Sequence, residues 1–300
     1  MTGLLTPLRE HDVPTPDGRV VHVVEAGSAD GRVIVVQHGS PGSSHLFQPW
    51  IDDAIARGAR ILAFDRSGYG RSSPDRDRSV GRVAGDVAAI ASALGIRRLA
   101  TWGISGGGPH ALAAAALLPD LVVGAASLAA CAPYPADGLD WLAGMGEGNV
   151  EEFGATLEGR AATEPLTAKA AEGILASSPA AIADEMRTLL SPVDAAAIDG
   201  AFAEWMFEDM RAGLATGIDG WVDDDLAFVQ PWGFDVRSIR VPVLLWQGEQ
   251  DRFVPPGHGR WLAGRIPGVE AHLSPDDGHL TLMTRRIPNV HAWLLALPGW

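Results

Sequence analysis

The sequence predicts an α/β fold, a mostly parallel central sheet flanked by helices, with an inserted helical cap domain. Three observations carry that expectation. Short apolar, β-branched runs alternate with helical stretches; the alternation stops for about a hundred residues after Pro133; and it resumes at Phe234. Continuous apolar runs of this kind suit strands that are covered by helices on both faces, as parallel strands are.

Taken in order, Pro16-Asp17-Gly18 is a turn signal before the run Val20 to Val24 and predicts an opening hairpin. Strand candidates follow at Val33 to Gln37, Ile61 to Asp65, Leu99 to Gly103, Val122 to Leu128 and Val241 to Gln247, with a last one near Val269 to Leu273. Helices are expected at Leu46 to Arg57, Val80 to Leu94, Gly107 to Leu118 and Gly257 to Ile266, and a terminal helix closes the chain. The stretch between Pro133 and Phe234 reads as several helices bounded by Ala132-Pro133-Tyr134-Pro135 and Gln230-Pro231-Trp232-Gly233. The expected division is therefore a core of residues 1–132 and 234–300 and a cap of residues 133–233. Within the cap, Ile198, Phe202, Trp205, Met206 and Met210 share one helical face behind a Ser191-Pro192 start signal. Packing against the core is the simpler role for that face, and lining a substrate pocket is the sharper one.

Of the 300 residues, 47% are hydrophobic and 20% charged, a balance that supports a sizeable core and argues against disorder. Asp and Glu number 37 against 23 Lys and Arg, for a net charge of -14, which disfavours nucleic acid and anionic membranes as partners. Cys131 is the single cysteine, so no internal disulfide forms, and a reducing cytoplasm fits best. The segment Met1 to Glu10 lacks the basic start and apolar run of a secretory signal. Pro119 and Asp120 split the longest apolar region into halves too short to span a bilayer. The histidines are scattered, and the run Asp223-Asp224-Asp225 has neither His nor Cys nearby, so no metal site is expected and a solvated surface is the reading for that run.

The chemistry concentrates at Gly103-Ile104-Ser105-Gly106-Gly107, directly after one strand candidate and directly before a helix candidate. That context is the one a nucleophile elbow requires: a serine on a sharp strand-to-helix turn, flanked by glycines that let strand and helix approach closely. The helix N-terminus then sits beside the negative charge that develops during attack. The glycines of Gly68-Tyr69-Gly70 do not make a dinucleotide fingerprint, because Arg71-Ser72-Ser73 follows in place of a third glycine and a helix.

With these motifs in view, residues 18 to 132 and 234 to 296 resemble the α/β-hydrolase family. His38-Gly39-Ser40-Pro41-Gly42 stands where that family has its oxyanion loop, and Asp65-Arg66-Ser67-Gly68-Tyr69-Gly70-Arg71-Ser72 where it often has a Gly-x-Gly-x-Ser turn. The family order of serine, acid and histidine implies Ser105 as nucleophile and Asp251, in Gly248-Glu249-Gln250-Asp251, as the acid. It implies His279, in Asp277-Gly278-His279-Leu280, as the base. Glu249 is the nearest rival acid, and His38, His110 and His258 read as structural. The resemblance also implies oxyanion donors at the backbone N–H groups of Ser40 and Gly106.

The function implied by the resemblance is that of a serine hydrolase that cleaves a small or medium hydrophobic carboxylic ester and needs no cofactor. Trp205, Met206 and Phe202 are expected among the substrate-binding residues. Serine at position 105 disfavours the aspartyl-ester chemistry of dehalogenases and epoxide hydrolases in the same family. An alternative is a proline iminopeptidase-like aminopeptidase, with Glu204 or Glu208 holding the substrate amine. Against it, Ser40 and Gly106 stand where those enzymes have glycine and tryptophan. A second alternative is a receptor-like relative with slow turnover. A small-molecule substrate is the expected partner, and a homo-oligomer is left open.

Overall fold

In the computed structural model, which describes residues 8–300, eight strands form one sheet in the order β1-β2-β4-β3-β5-β6-β7-β8. These are β1 (Arg9–Pro14), β2 (Val20–Gly27), β3 (Arg32–Gln37), β4 (Ala59–Phe64), β5 (Leu99–Ile104), β6 (Val122–Leu128), β7 (Val243–Gly248) and β8 (Glu270–Ser274). β2 runs antiparallel to β1 and β4, and every other pairing is parallel. The expected hairpin forms on its turn, where Gly18 takes a positive φ of 86° and donates its N–H to Thr15 O at 3.0 Å. The expected reading of Met1 to Glu10 falls, for its first seven residues, outside the described part of the chain.

Helices α1 (Gln48–Ala56), α2 (Val83–Ala93), α3 (Gly107–Leu117), α10 (Pro256–Ala263), α11 (Leu280–Arg285) and α12 (Ile287–Ala296) cover the sheet. Their apolar faces make two clusters, one on each side of it: Val35, Leu62, Leu112 and Val243 lie in one, and Ile34, Ile61, Trp102 and Leu244 in the other. Adjacent positions on one strand thus face opposite layers, which is why β3, β5 and β6 read as unbroken apolar runs. β8 has a neighbour on one side only and is mostly exposed. The helix expected from Val80 begins as a 3₁₀ turn, Val80–Arg82, before α2.

Between β6 and β7 the described residues hold no strand but six α-helices, α4 (Glu147–Glu158), α5 (Arg160–Ala176), α6 (Ile182–Glu185), α7 (Pro192–Ala195), α8 (Gly200–Gly213) and α9 (Asp219–Phe228), followed by a 3₁₀ turn at Val236–Ser238. The Ser191-Pro192 signal opens the four-residue α7 and not the helix that carries Phe202. That helix, α8, has its own start, since the Asp199 side chain accepts the Phe202 N–H at 3.2 Å. Asp223, Asp224 and Asp225 correct a second expectation. They are 1%, 0% and 2% exposed, because α9 packs them inward against arginines of the core and against the inserted helices. No helix among the described residues is long and apolar enough to cross a membrane.

Candidate active site

Ligand crevices in open parallel sheets form outside the carboxyl ends of the strands, where the strand order reverses direction. Here the reversal falls at β3, which pairs with β4 on one side and β5 on the other, with Gln37 opposite Gly103. The chain leaving β3 therefore runs beside the chain leaving β5. The first carries His38-Gly39-Ser40, and the second carries Ser105.

Ser105 takes a left-handed φ of 53°, a conformation that costs an L-residue roughly 1–2 kcal/mol and turns the chain sharply from β5 into α3. Its own N–H bonds Leu128 O on β6 at 2.9 Å, and its carbonyl accepts the Gly108 N–H at 2.9 Å. The flanking glycines are required by contact. A Cβ on Gly103 would stand 2.1 Å from Gly107 O, and one on Gly107 would stand 2.0 Å from Gln37 O. Any larger residue would push the turn off the sheet.

β7 and β8, the adjacent pair at the other end, deliver the remaining groups. Asp251 follows β7 and is held by four donors: Phe253 N–H at 2.8 Å and Val254 N–H at 2.9 Å on Oδ1, with Gln247 Nε2 at 3.3 Å and His279 Nδ1 at 2.8 Å on Oδ2. Glu249, the rival acid, is exposed and paired with Arg260 at 2.6 Å. His279 follows β8, is 3% exposed, and stacks its ring on Phe253 with centroids 4.5 Å apart. Ser105 and His279 line the same cavity of about 450 Å³, as do Ser40 and Gly106. Among the described residues neither the Ser40 N–H nor the Gly106 N–H is taken by another backbone carbonyl.

The family's own profile, described as the alpha/beta hydrolase fold, matches residues 32–285. The chain belongs to the α/β-hydrolase family. A bifunctional esterase/perhydrolase of Acinetobacter calcoaceticus is 26% identical over 257 residues, 81% of this chain and 83% of that protein. An epoxide hydrolase of Caballeronia sordidicola is 33% identical over 116 residues, so the match covers 38% of this chain and about a third of that relative's length, 34%. Among solved structures, an α/β hydrolase fold protein from Nakamurella multipartita superposes with a TM-score of 0.69 at 26% identity, covering 97% of this chain and 100% of that one.

In this α/β hydrolase the inserted helices reach the site through three buried carboxylates, none of them marked by a sequence motif. Asp194 on α7 accepts the N–H groups of His279 (3.0 Å), Leu280 (2.8 Å) and Thr281 (3.2 Å), so it caps α11 and fixes the backbone of the histidine itself. Asp224 on α9 accepts Ser40 Oγ–H at 2.6 Å, Arg66 at 2.6 Å, Tyr69 O–H at 2.9 Å and Arg78 at 2.5 Å, and lies 3.2 Å from His110 Nε2. Arg66 in turn donates to the carbonyls of His38 and Gly39. Asp209 on α8 accepts both the N–H (2.9 Å) and the hydroxyl (2.7 Å) of Ser43. The loop after β3 is thus clamped from above as well as from the sheet.

Electrostatics follow from this packing. Burial alone would lower the pKa of His279, but the charge and hydrogen bond of Asp251, joined by the charge of Asp194, outweigh it and hold the imidazole above its ordinary value of 6.5. Burial raises the Asp251 carboxyl, with the His279 contact opposing it. Burial would also raise Asp224, yet Arg66 and Arg78 keep it well below the usual carboxylate range. Burial pushes Asp209 up to about 8. His110 and His258 fall to about 4, chiefly through burial, and are neutral. His258 ties Ala132 N–H (3.0 Å) to Trp141 O (2.9 Å), the structural role expected of it.

The residues of α8 expected to meet substrate separate into two groups. Trp205 and Met206 line the cavity, whereas Phe202, 1% exposed, is packed against Phe47 and Trp205 and does not. Glu204 and Glu208, the carboxylates suggested for an aminopeptidase, face solvent. Cys131 is buried, and burial raises its thiol pKa, as suits an inert core residue, though it also touches the cavity.

Proposed function

We propose that this α/β hydrolase is a serine hydrolase that cleaves small or medium hydrophobic carboxylic esters through an acyl-enzyme. The observation that carries the reading is the 2.8 Å Asp251–His279 pair opening onto the cavity that also holds Ser105 at a left-handed turn. His279 takes the Ser105 proton as Oγ attacks the ester carbonyl, and returns it to the leaving alcohol. Asp251 accepts a hydrogen bond from His279 Nδ1–H, which leaves Nε2 free to act as base and stabilises the imidazolium that forms. The N–H groups of Ser40 and Gly106 receive the oxyanion. Water then repeats the sequence on the acyl-enzyme, with His279 again as base. Residues 133–233 act as a cap over the core, and Trp205, Met206 and Met210 give the acyl group an apolar, water-poor wall.

The test is intact mass after exposure to a fluorophosphonate, followed by a 4-nitrophenyl ester series of increasing acyl length. A single adduct and a rate maximum at short or medium chains are expected. No adduct on folded protein would overturn the reading, and equal rates at every length would remove the restrictive cap. Ser40→Pro deletes one oxyanion donor and is expected to lower kcat by about 10²–10³, measured on the best ester of that series. The base must be unprotonated to work, and its pKa is raised, so the acid limb of kcat/KM is expected to have its midpoint above pH 6.5. Asp194→Asn, which removes a negative charge from the histidine's surroundings, is expected to move that midpoint down; a pH–rate profile reads both.

A further inference from the structure

α9 carries three consecutive aspartates that the structure treats differently. Asp223 is paired with Arg160 and lies 3.5 Å from Arg78, and Asp224 is paired with Arg66 and Arg78. Asp225, 2% exposed, has no ion pair among the described residues, and its Oδ2 finds no donor. It lines the cavity, on the same face of α9 as Trp221 one turn before it and Phe228 one turn after it. The Phe228 ring edge comes within 3.2 Å of the position a Cβ would take on Gly106, so this face of the helix lies over the reactive serine.

A second carboxylate joins it there. Trp221 Nε1–H donates to Glu152 Oε1 at 2.7 Å, which brings the half-buried Glu152 of α4 beside Asp225, and Glu152 also lines the cavity with no ion pair among the described residues. Lys169, on the rim, is exposed and pairs with neither. Burial, and for Asp225 also the nearby charge of Glu152, raise both carboxyls. Glu151, Glu185 and Asp209 also line the cavity and Lys169 is the one Lys or Arg of its wall among the described residues, so a buried carboxylate there is costly unless a cation or donors meet it. A protonated amine, with up to three N–H donors and one positive charge, supplies both.

We infer that Glu152 and Asp225 form a subsite for a protonated alkylamine carried by the substrate, held in the cavity above Ser105. The inference rests on the serine-hydrolase reading for its meaning. It names the substrate as an amphipathic one, an apolar chain bearing an ammonium group, and it constrains charge without deciding which bond is cut.

The experiment is calorimetric binding of n-hexylammonium and of 1-hexanol, equal in chain length, to the wild type, Glu152→Gln and Asp225→Asn at pH 7.5. Wild type is expected to bind the ammonium at least about tenfold more tightly than the alcohol, and each variant to bring that ratio below about threefold. Equal binding of the two ligands by wild type, or a preference that survives in both variants, would overturn the subsite. The wild-type comparison stands even if a variant fails to fold, which near-UV circular dichroism would reveal. Binding requires no turnover, so a fluorophosphonate adduct without ammonium preference removes the subsite alone. Ammonium preference without an adduct removes the hydrolase reading alone.

Discussion

Ser105→Ala is expected to abolish fluorophosphonate labelling and to lower ester turnover by about 10⁶, the scale on which removal of a triad serine acts. The size of the effect reflects the tasks of the other groups. His279 is oriented by Asp251 and by the clamp of Asp194 on its N–H, yet without Oγ it has no proton to take from a nucleophile. The proposed oxyanion donors and apolar wall remain, so residual catalysis over water, and unchanged ligand binding, are the expected remainder. Alanine retains the left-handed φ that serine already tolerates, so the variant should fold like wild type. Intact mass and steady-state kinetics on the two proteins side by side check it; labelling that persists in the variant would place the activated nucleophile elsewhere.

Asp224→Ala is expected to cost stability on the scale of about 3–5 kcal/mol, the penalty for breaking a buried ion pair from one side. Asp224 is fully buried and is the shared acceptor for Arg66 and Arg78, themselves 1% and 6% exposed. Removing it leaves two guanidinium groups in the interior, with Asp223 the remaining carboxylate near Arg78. The hydroxyls of Ser40 and Tyr69 lose their acceptor at the same time. Urea unfolding of wild type and variant reads the loss directly. A change below about 1 kcal/mol would mean that water enters and solvates the arginines, and that the cluster is less closed than its burial implies.

How much of this was legible in the chain depends on the distance over which each feature is encoded. β5, Ser105 and α3 are contiguous, and their pattern of apolar run, glycine-flanked serine and Ala-rich helix is local, so the sharp strand-to-helix turn at Ser105 was readable in place. Asp251 and His279 each sit just past a strand, which marks them by position. The clamps were not readable. Asp224 meets Ser40 across 184 residues and Asp194 meets His279 across 85, and no periodicity connects such pairs. Asp223-Asp224-Asp225 looks solvated because charge patterning assigns acidic runs to water. Only the arrival of Arg66, Arg78 and Arg160 from distant segments offsets the burial of the first two. Phe202 shares a helical face with Trp205, but a shared face does not say which ring reaches the cavity and which stops at Phe47.

The carboxylates of Asp194, Asp209 and Asp224 also bear on how such an enzyme can be re-engineered. Exchanging residues 133–233 for the insertion of another α/β hydrolase would look like a change of pocket alone. It would strip the core of acceptors for the N–H groups of His279, Leu280, Thr281 and Ser43 and for two buried arginines. A working chimera would have to bring acidic side chains to those same three places, so selectivity and the integrity of the reactive centre cannot be inherited separately in this chain.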